Sequence, residues 1–218
     1  MAVRLLEFNV HVARYADRSW YWQGSGQSWS QALFDASGQI DARVEAQVSS
    51  WLLHELKLHD VMDWDMSEPQ KRLWLLDGPS LVRLAKELAL AMHREWLLRV
   101  IGAARRRVLQ AGVDERALRF VVEDLPGGLF HCCLPVLDFE VDPVASIGLK
   151  LREAGARTLM ALLQPAWRAV RGRAQLYFDR SHKLAEVPPL EALDCDQALE
   201  LICGWLVPRR FPEWGWYF

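Results

Sequence analysis

The chain has 218 residues, of which 51% are hydrophobic and 25% are charged, a balance typical of soluble globular proteins that excludes wholesale disorder. Its 26 basic and 28 acidic residues give a net charge of -2, so no overall electric field draws it to nucleic acid or to an anionic membrane. The 11 tryptophans are numerous enough to suggest that some lie on surfaces that bind a partner.

Targeting and redox signals predict a protein of the reducing cytoplasm. The first residues, MAVRLLEFNVHVARYADRSW, interrupt their apolar run with polar side chains and so do not resemble a signal peptide. No stretch reaches the roughly 18 uncharged apolar residues that a membrane span needs. Four cysteines lack the spacing of a secreted disulfide framework and are expected to be small, half-buried side chains: Cys132, Cys133, Cys195 and Cys203.

Three signals mark the first part of the chain. Apolar and polar residues alternate over Phe8–Val12, which predicts a short strand. Residues 19–31, SWYWQGSGQSWSQ, indicate a Trp-rich loop that packs on another part of the protein, because a free linker would be poorer in aromatic residues. Asp41 then predicts the cap of a helix that runs to about Leu56, with apolar residues at helical spacing.

The middle of the chain is typical of capped helices in series. Ser67 and Gln70 predict a capping box at the start of a short helix that Gly78 ends. One long helix is expected over residues 79–112, with a proline in its first turn.

The remaining elements are also mainly helical. Asp114 predicts a capped helix that ends before Pro126, and residues 126–142 are expected to form an extended connector or a short edge strand. Further helices are predicted over 142–164, 165–177 and 190–207. The aromatic tail, residues 208–218, contains two prolines and a glycine and cannot be helical throughout.

These patterns predict a mainly α protein. We expect residues 1–218 to form a single compact helical domain of about seven helices, with at most a short N-terminal or mid-chain β element. The connector at 126–142 is the one candidate seam within it.

The triplet His93–Arg94–Glu95 raises the question of a metal enzyme, because zinc deaminases use a His two residues before a Glu together with cysteine ligands. On one continuous helix, residues two apart are rotated by about 200°, so His93 would lie at the edge of the charged face and Glu95 on the opposite side. The adjacent Cys132 and Cys133, which follow His131, can hardly ligate one tetrahedral ion. The sequence therefore predicts no catalytic, cofactor-binding or metal site, with a metal-dependent hydrolase or deaminase-like enzyme as the alternative.

Three clusters are candidate partner-binding sites. The first is an acidic turn, either simply solvated or a docking patch, made by Asp60, Asp63, Asp65 and Glu68. The second is the basic run of Arg105, Arg106 and Arg107, either a solvated helix end or a site for an acidic protein. With the neighbouring arginines from Arg94 to Arg119, this run leaves a helical nucleic-acid-binding regulator as a further alternative. The third is the aromatic tail with Trp214, Trp216 and Phe218, which either seals the core or docks on a partner.

A resemblance to a known family begins in the block from Leu73 to Leu125, LWLLDGPSLVRLAKELALAMHREWLLRVIGAARRRVLQAGVDERALRFVVEDL. Its leucine-rich turn, long apolar helix and following ERALRFVVE helix resemble the central region of the SctK (YscK-like) family, the cytosolic adaptors of bacterial type III secretion sorting platforms. LLHEL at 52–56 and GLKLREAGARTLMALLQPAWRAVRGR at 148–173 fit the same layout. The resemblance covers about residues 45–175.

This resemblance implies a protein without an enzymatic activity or a cofactor. Members of the family link the cytosolic domain of the inner-membrane ring protein (SctD-like) to the pod protein (SctQ-like). The implied location is the cytoplasm, peripheral to the bacterial inner membrane through the secretion apparatus.

Overall fold

The computed structural model of the chain describes residues 1–21, 33–34, 40–99, 113–126 and 144–218. This part of the chain is mainly helical, as predicted, and its one strand-like feature is an isolated antiparallel bridge between Phe34 and Ile40. The chain divides into two compact units. Unit 1 contains Met1–Leu81 and Leu163–Pro188, and unit 2 contains Val82–Leu162 and Pro189–Phe218. The proposed seam at 126–142 lies, beyond Pro126, outside the described residues.

The described helices are, in chain order, α1 (Ala2–Val10), α2 (Glu45–Glu55), α3 (Pro69–Arg72), α4 (Gly78–Met92), α5 (Arg94–Arg99), α6 (Glu115–Arg119), α7 (Val144–Ala161), α8 (Arg168–Ala174), α9 (Ala192–Leu199) and α10 (Val207–Arg210). Two π-helical segments extend them: π1 (Phe120–Asp124) follows α6, and π2 (Glu200–Leu206) joins α9 to α10. Single 3-10 turns complete the structure at Val12–Arg14, Arg18–Tyr21, Leu73–Leu75, Gln175–Tyr177, Arg180–His182, Leu184–Glu186 and Pro212–Tyr217.

The predicted strand at Phe8–Val12 is wrong, because these residues belong to α1 and to the 3-10 turn after it. Asn9 explains the error. In the alternating pattern, Asn9 is expected to face solvent. In the structure it is fully buried, and its amide donates to Leu5 O at 3.0 Å and to Asp63 O at 2.9 Å. A buried amide with satisfied hydrogen bonds mimics a polar surface position in the sequence.

The core of unit 1 packs α2 against the 3-10 turns on either side of it in the chain. Its buried apolar residues include Val12, Trp20, Val48, Leu52, Leu58 and Leu176. Trp20 confirms that the described start of the Trp-rich loop packs inward, whereas Trp22 and Trp29 lie outside the described residues. Arg173 of α8 is also fully buried here, and its guanidinium donates to three backbone carbonyls at 3.2–3.3 Å.

Two expected helix ends in unit 1 differ from the prediction. The capping box of Ser67 and Gln70 does not form, because α3 begins after Glu68 and the Ser67 N–H donates instead to Asp65 Oδ1 at 2.9 Å. Gly78 begins α4 rather than ending a helix, since Asp77 Oδ1 accepts the Ser80 N–H at 2.7 Å and so caps the new helix.

Unit 2 is held together by close packing between α7 and the part of α4 that follows Leu81. A Cβ atom on Gly155 of α7 would overlap the Ala85 carbonyl group, so only glycine permits this approach. Downstream, Asp114 caps α6 as predicted, accepting the Arg116 N–H at 3.2 Å.

The single helix predicted over 79–112 is interrupted at His93, between α4 and α5. The His93 backbone N–H is shared between Ala89 O at 3.2 Å and Leu90 O at 3.1 Å, while its ring Nδ1 lies 2.7 Å from Ala89 O. A side chain that donates to the carbonyl four residues back competes with the regular helical bond and disturbs the helix locally. Residues 100–112 lie outside the described residues.

Candidate partner-binding surfaces

The predicted acidic residues occupy one segment of unit 1 between α2 and α3, called here the acidic segment (residues 59–68). Asp60, Asp65 and Glu68 are exposed. Two hydrogen bonds from Ser67 hold the pKa of the Asp65 carboxyl below its ordinary value and keep it ionised. The bond from the Ser67 backbone N–H has the larger effect, and the bond from its side chain has the smaller one. Asp60 lies 2.6 Å from His59 Nε2.

Asp63 has a different role from its neighbours, because its carboxylate faces inward. It lies 2.8 Å from Nζ of Lys71, whose side chain is almost completely buried and also donates to Asp65 O at 3.1 Å. The Asp63 backbone exchanges two hydrogen bonds with the Asn9 amide, at 2.9 and 3.1 Å. Asp63 therefore has a structural role, because its charge compensates a buried ammonium group and fixes the segment to the fold, and its contact with a partner stays a prediction.

The inward anchoring of Asp63 leaves two large apolar side chains in solvent. Met62 is 47% exposed and Trp64 is 51% exposed, on either side of Asp63. Leu6, one helical turn before Asn9 on α1, is 46% exposed. Sequence reasoning missed Met62 and Trp64, although the alternation of aspartate with large apolar residues in DVMDWDM was the available signal.

The predicted basic cluster of Arg105, Arg106 and Arg107 lies outside the described residues. Unit 2 nevertheless has a groove of about 710 Å³ lined by four other arginines: Arg116, Arg119, Arg209 and Arg210. Phe120 and Trp205 also line this arginine groove, together with Glu123 and Asp124.

Arg210 lines the arginine groove, and ion pairs hold its guanidinium in place. Its guanidinium forms a two-point ion pair with the buried Glu87 carboxylate, at 2.8 and 2.9 Å, and a third bond to Asp114 at 3.1 Å. The hydrogen bonds to Glu87 raise the pKa of Arg210 above its ordinary value. Arg83 donates to the same carboxylate at 2.9 Å and to Arg210 O at 3.0 Å.

The other arginines of the groove are more available to a partner. Arg209 lies 4.1 Å from the centre of the Trp205 ring and donates to Gly204 O at 3.1 Å. Arg119 pairs with Glu115 at 3.2 Å on the exposed side of α6. Within the described part of the chain, the exposed Arg116 guanidinium forms no ion pair. The groove therefore offers Arg116 and Arg209 to a carboxylate.

Both π-helical segments line the arginine groove. Arg94, next to the interruption at His93, donates to the carbonyls of Val121 at 3.0 Å and Val122 at 3.3 Å and so supports π1. Arg209 supports π2 in the same way through Gly204. Because π-helical turns are rare and concentrate at functional sites, this coincidence marks the groove as a candidate site. Nothing in the sequence pattern pointed to Arg94 in this role.

The aromatic tail folds inward where it is described. Phe211 is completely buried beneath Arg83, 4.5 Å from its guanidinium, and Trp214 is only 9% exposed. Of the two alternatives left open for the tail, Trp214 fits the one in which the tail seals the core, because its indole is buried in unit 2. Phe218 is half-buried, and the side chain of Trp216 lies outside the described residues.

The metal-enzyme alternative depends on His93 and Glu95, whose positions differ from those expected. His93 is buried rather than at a charged edge, and burial lowers its pKa below the ordinary value. Glu95 is exposed and lies 3.5 Å from Arg94. His131, Cys132 and Cys133 lie outside the described residues, and among the described ones no three His, Cys, Asp or Glu side chains are grouped to hold a metal ion.

The other two cysteines, Cys195 and Cys203, are half-buried, as the sequence predicts.

No protein-family model, curated protein or solved structure matches this chain. Among the helices that the structure describes, none combines the length and apolar character needed to cross a membrane.

Proposed function

We propose that the chain is a non-enzymatic cytosolic adaptor of a bacterial type III secretion sorting platform. In this role it links the SctD-like inner-membrane ring protein to the SctQ-like pod protein. The resemblance of residues 45–175 supports the choice of machine, and the exposed Trp64 on its fixed acidic segment is the observation that supports partner binding.

Trp64 has the properties of an interface anchor. Tryptophan is enriched among the few residues that contribute most of the binding energy at protein interfaces. Its segment is tied to the fold at Asp63 by the Asn9 amide and by Lys71, so little conformational entropy is lost when a partner covers it. Around it, Asp60, Asp65 and Glu68 select a partner whose apolar surface is rimmed by basic residues.

The arginine groove supplies a second surface of different character. Arg116 and Arg209 favour an acidic partner, whereas the acidic segment disfavours one. The acidic segment belongs to unit 1 and the arginine groove to unit 2, so the two surfaces share no residue. An adaptor needs two surfaces of this kind, because each surface must bind one partner protein and reject the other.

The proposal is tested by titrating the full chain with the purified ring-protein cytosolic domain and, separately, with the pod protein. We expect saturable binding to both, and we expect Trp64→Ala to weaken binding to one of them by about tenfold to a hundredfold, the loss of one buried aromatic anchor. Trp51→Ala is the matched control, because Trp51 is a 37% exposed tryptophan on α2 of the same unit. Equal affinities for the wild type and both variants would refute the role of Trp64.

A further inference from the structure

A concave region of unit 1 shares no residue with the acidic segment. It is an open notch of about 550 Å³, called here the basic notch, lined by Arg18, Ser19, Asp179, Arg180, Ser181 and Lys183. Three of these residues are cationic and one is anionic, so the lining carries a net charge of about +2 at neutral pH.

The two sides of the basic notch are tied to each other by hydrogen bonds. One side is the 3-10 turn Arg18–Tyr21 and the other is the 3-10 turn Arg180–His182. Ser19 Oγ accepts the Arg180 N–H at 2.9 Å, and Trp20 Nε1 donates to Phe178 O at 2.9 Å. The shape of the notch is thus set by the fold and requires no ligand to form it.

The guanidinium groups at the basic notch are held over aromatic rings. Arg180 lies 5.4 Å from the centre of the buried Trp20 ring, and Arg18 lies 4.9 Å from the Phe34 ring. Within the described residues, neither the Arg180 guanidinium nor the Lys183 ammonium forms an ion pair. The one carboxylate of the lining, on Asp179, accepts the Ser181 N–H at 2.8 Å and caps its turn.

Lys183 reaches the basic notch from an unusual backbone conformation. It has φ 48°, and the other described non-glycine residue with positive φ is Lys57 at 55°. Lys57 ends α2 in a Schellman arrangement, with Leu58 N–H bonded to Leu53 O at 2.7 Å and Lys57 N–H to His54 O at 2.9 Å. Lys183 links two 3-10 turns, and glycine would avoid the steric cost of this left-handed backbone conformation.

We propose that the basic notch binds the phosphate group of a phosphate monoester. A dianionic phosphate matches the net charge of the lining, and its oxygens accept from Arg18, Arg180 and Lys183. The Ser19 and Ser181 hydroxyls are further donors, since the Ser19 oxygen already accepts from Arg180 and keeps its own proton for a ligand. This proposal does not depend on the adaptor function, so an experiment that refutes the adaptor function leaves it unaffected.

The first experiment titrates the full chain with inorganic phosphate at constant ionic strength, followed by amide chemical shifts. We expect saturable shifts at Arg180 and Lys183, and Lys183→Gly is expected to weaken binding about fivefold to tenfold. Lys57→Gly is the matched control. Both variants remove an exposed lysine at positive φ, where glycine is favoured, so neither is expected to unfold the protein.

The second experiment identifies the source of the phosphate. Mixed phosphatidylcholine–phosphatidic acid vesicles are sedimented with the wild type and both variants, against pure phosphatidylcholine vesicles. Cosedimentation that Lys183→Gly abolishes supports the site with a lipid headgroup as ligand, and phosphate binding without cosedimentation supports it with a soluble ester. The proposal is overturned if neither probe binds saturably, or if Lys183→Gly and Lys57→Gly bind phosphate as tightly as the wild type does.

Discussion

At the residue scale, Arg173 shows how a charge can be placed inside a small helical unit. It is fully buried, and its guanidinium donates to the carbonyls of Asn9, Leu58 and Ala169. Burial lowers the pKa of Arg173 below its ordinary value. Because arginine starts from so high a value, the group stays charged, and the three carbonyls replace its water.

Replacing Arg173 tests this placement. Arg173→Met removes charged hydrogen bonds to three carbonyls, and we expect it to lower the free energy of unfolding by about 3 kcal/mol. Arg168→Met, an exposed position on the same helix α8, is the matched control and should change the free energy little. Urea unfolding followed by circular dichroism measures both, and equal midpoints for the two variants would contradict this role of Arg173.

His93 makes a pH-dependent contribution to stability whose sign is set by its burial. Its pKa is lowered in the folded protein, mainly by desolvation, whereas the pKa of an unfolded histidine is about 6.5. Between these two values the unfolded chain binds more protons than the folded one, so the contribution is present above about pH 6.5 and is lost as the pH falls towards the folded value.

His93→Asn separates this contribution from the rest of the titration, because asparagine keeps an N–H donor for Ala89 O but does not titrate. We expect the wild type to lose more unfolding free energy than the variant between about pH 7.5 and pH 5.5. Denaturant unfolding at the two pH values gives the comparison. A loss that is the same in both proteins would show that His93 is not the titrating group.

At the element scale, the packing of α7 against α4 depends on one glycine. An alanine methyl at position 155 would overlap the Ala85 carbonyl, so Gly155→Ala is expected to destabilise unit 2 by roughly 3 kcal/mol or more. Gly204→Ala is the control, because a Cβ there comes no closer than 3.9 Å to a neighbour. Thermal unfolding of the two variants measures the difference, and similar melting temperatures would mean that the helices separate at little cost.

The helix ends and helix contacts show which features the sequence could predict and which it could not. Caps depend on residues close in the chain, which suffices for Asp114 but not for Ser67 and Gln70, because the Ser67 N–H bonds to Asp65 instead. The burial of Asn9 depends on its bond to Asp63, 54 residues away, which the local pattern does not show. The interruption at His93 involves a bond to Ala89 O only four residues earlier, but the apolar spacing of the helix does not reveal it. The sequence places Arg94 beside a candidate metal ligand and among the arginines of the nucleic-acid-binding alternative, whereas its contacts lie 27 and 28 residues away in π1.

The candidate sites were predicted in the same uneven way. Charge runs in the sequence located the acidic segment, but they could not distinguish Asp63, which faces Lys71, from the exposed Asp60. The arginine groove joins residues 116–124 to residues 205–210, and such a pairing is invisible without the fold. Aromatic content alone could not decide whether Trp214 seals the core or faces a partner, because the residue type does not show whether a tryptophan is buried.

At the scale of the whole molecule, the proposed adaptor has two chemically opposite binding surfaces. The acidic segment carries Trp64. The arginine groove carries Arg116, and it also carries Arg209, which lies over the Trp205 ring. If the two partners use these surfaces, each surface can be disabled without the other. Trp64→Ala should release one partner, and the pair of substitutions Arg116→Glu and Arg209→Glu should release the other.

The central claim is that the chain holds two partners at once, and the mass of the assembled complex tests it most directly. The chain is mixed with the ring-protein cytosolic domain and the pod protein and analysed by size-exclusion chromatography with light scattering. We expect a peak that contains all three proteins, which Trp64→Ala and the double arginine variant each reduce to a different two-protein complex. A folded wild-type chain that binds neither protein, or that loses one partner whenever the other is added, would contradict the claim.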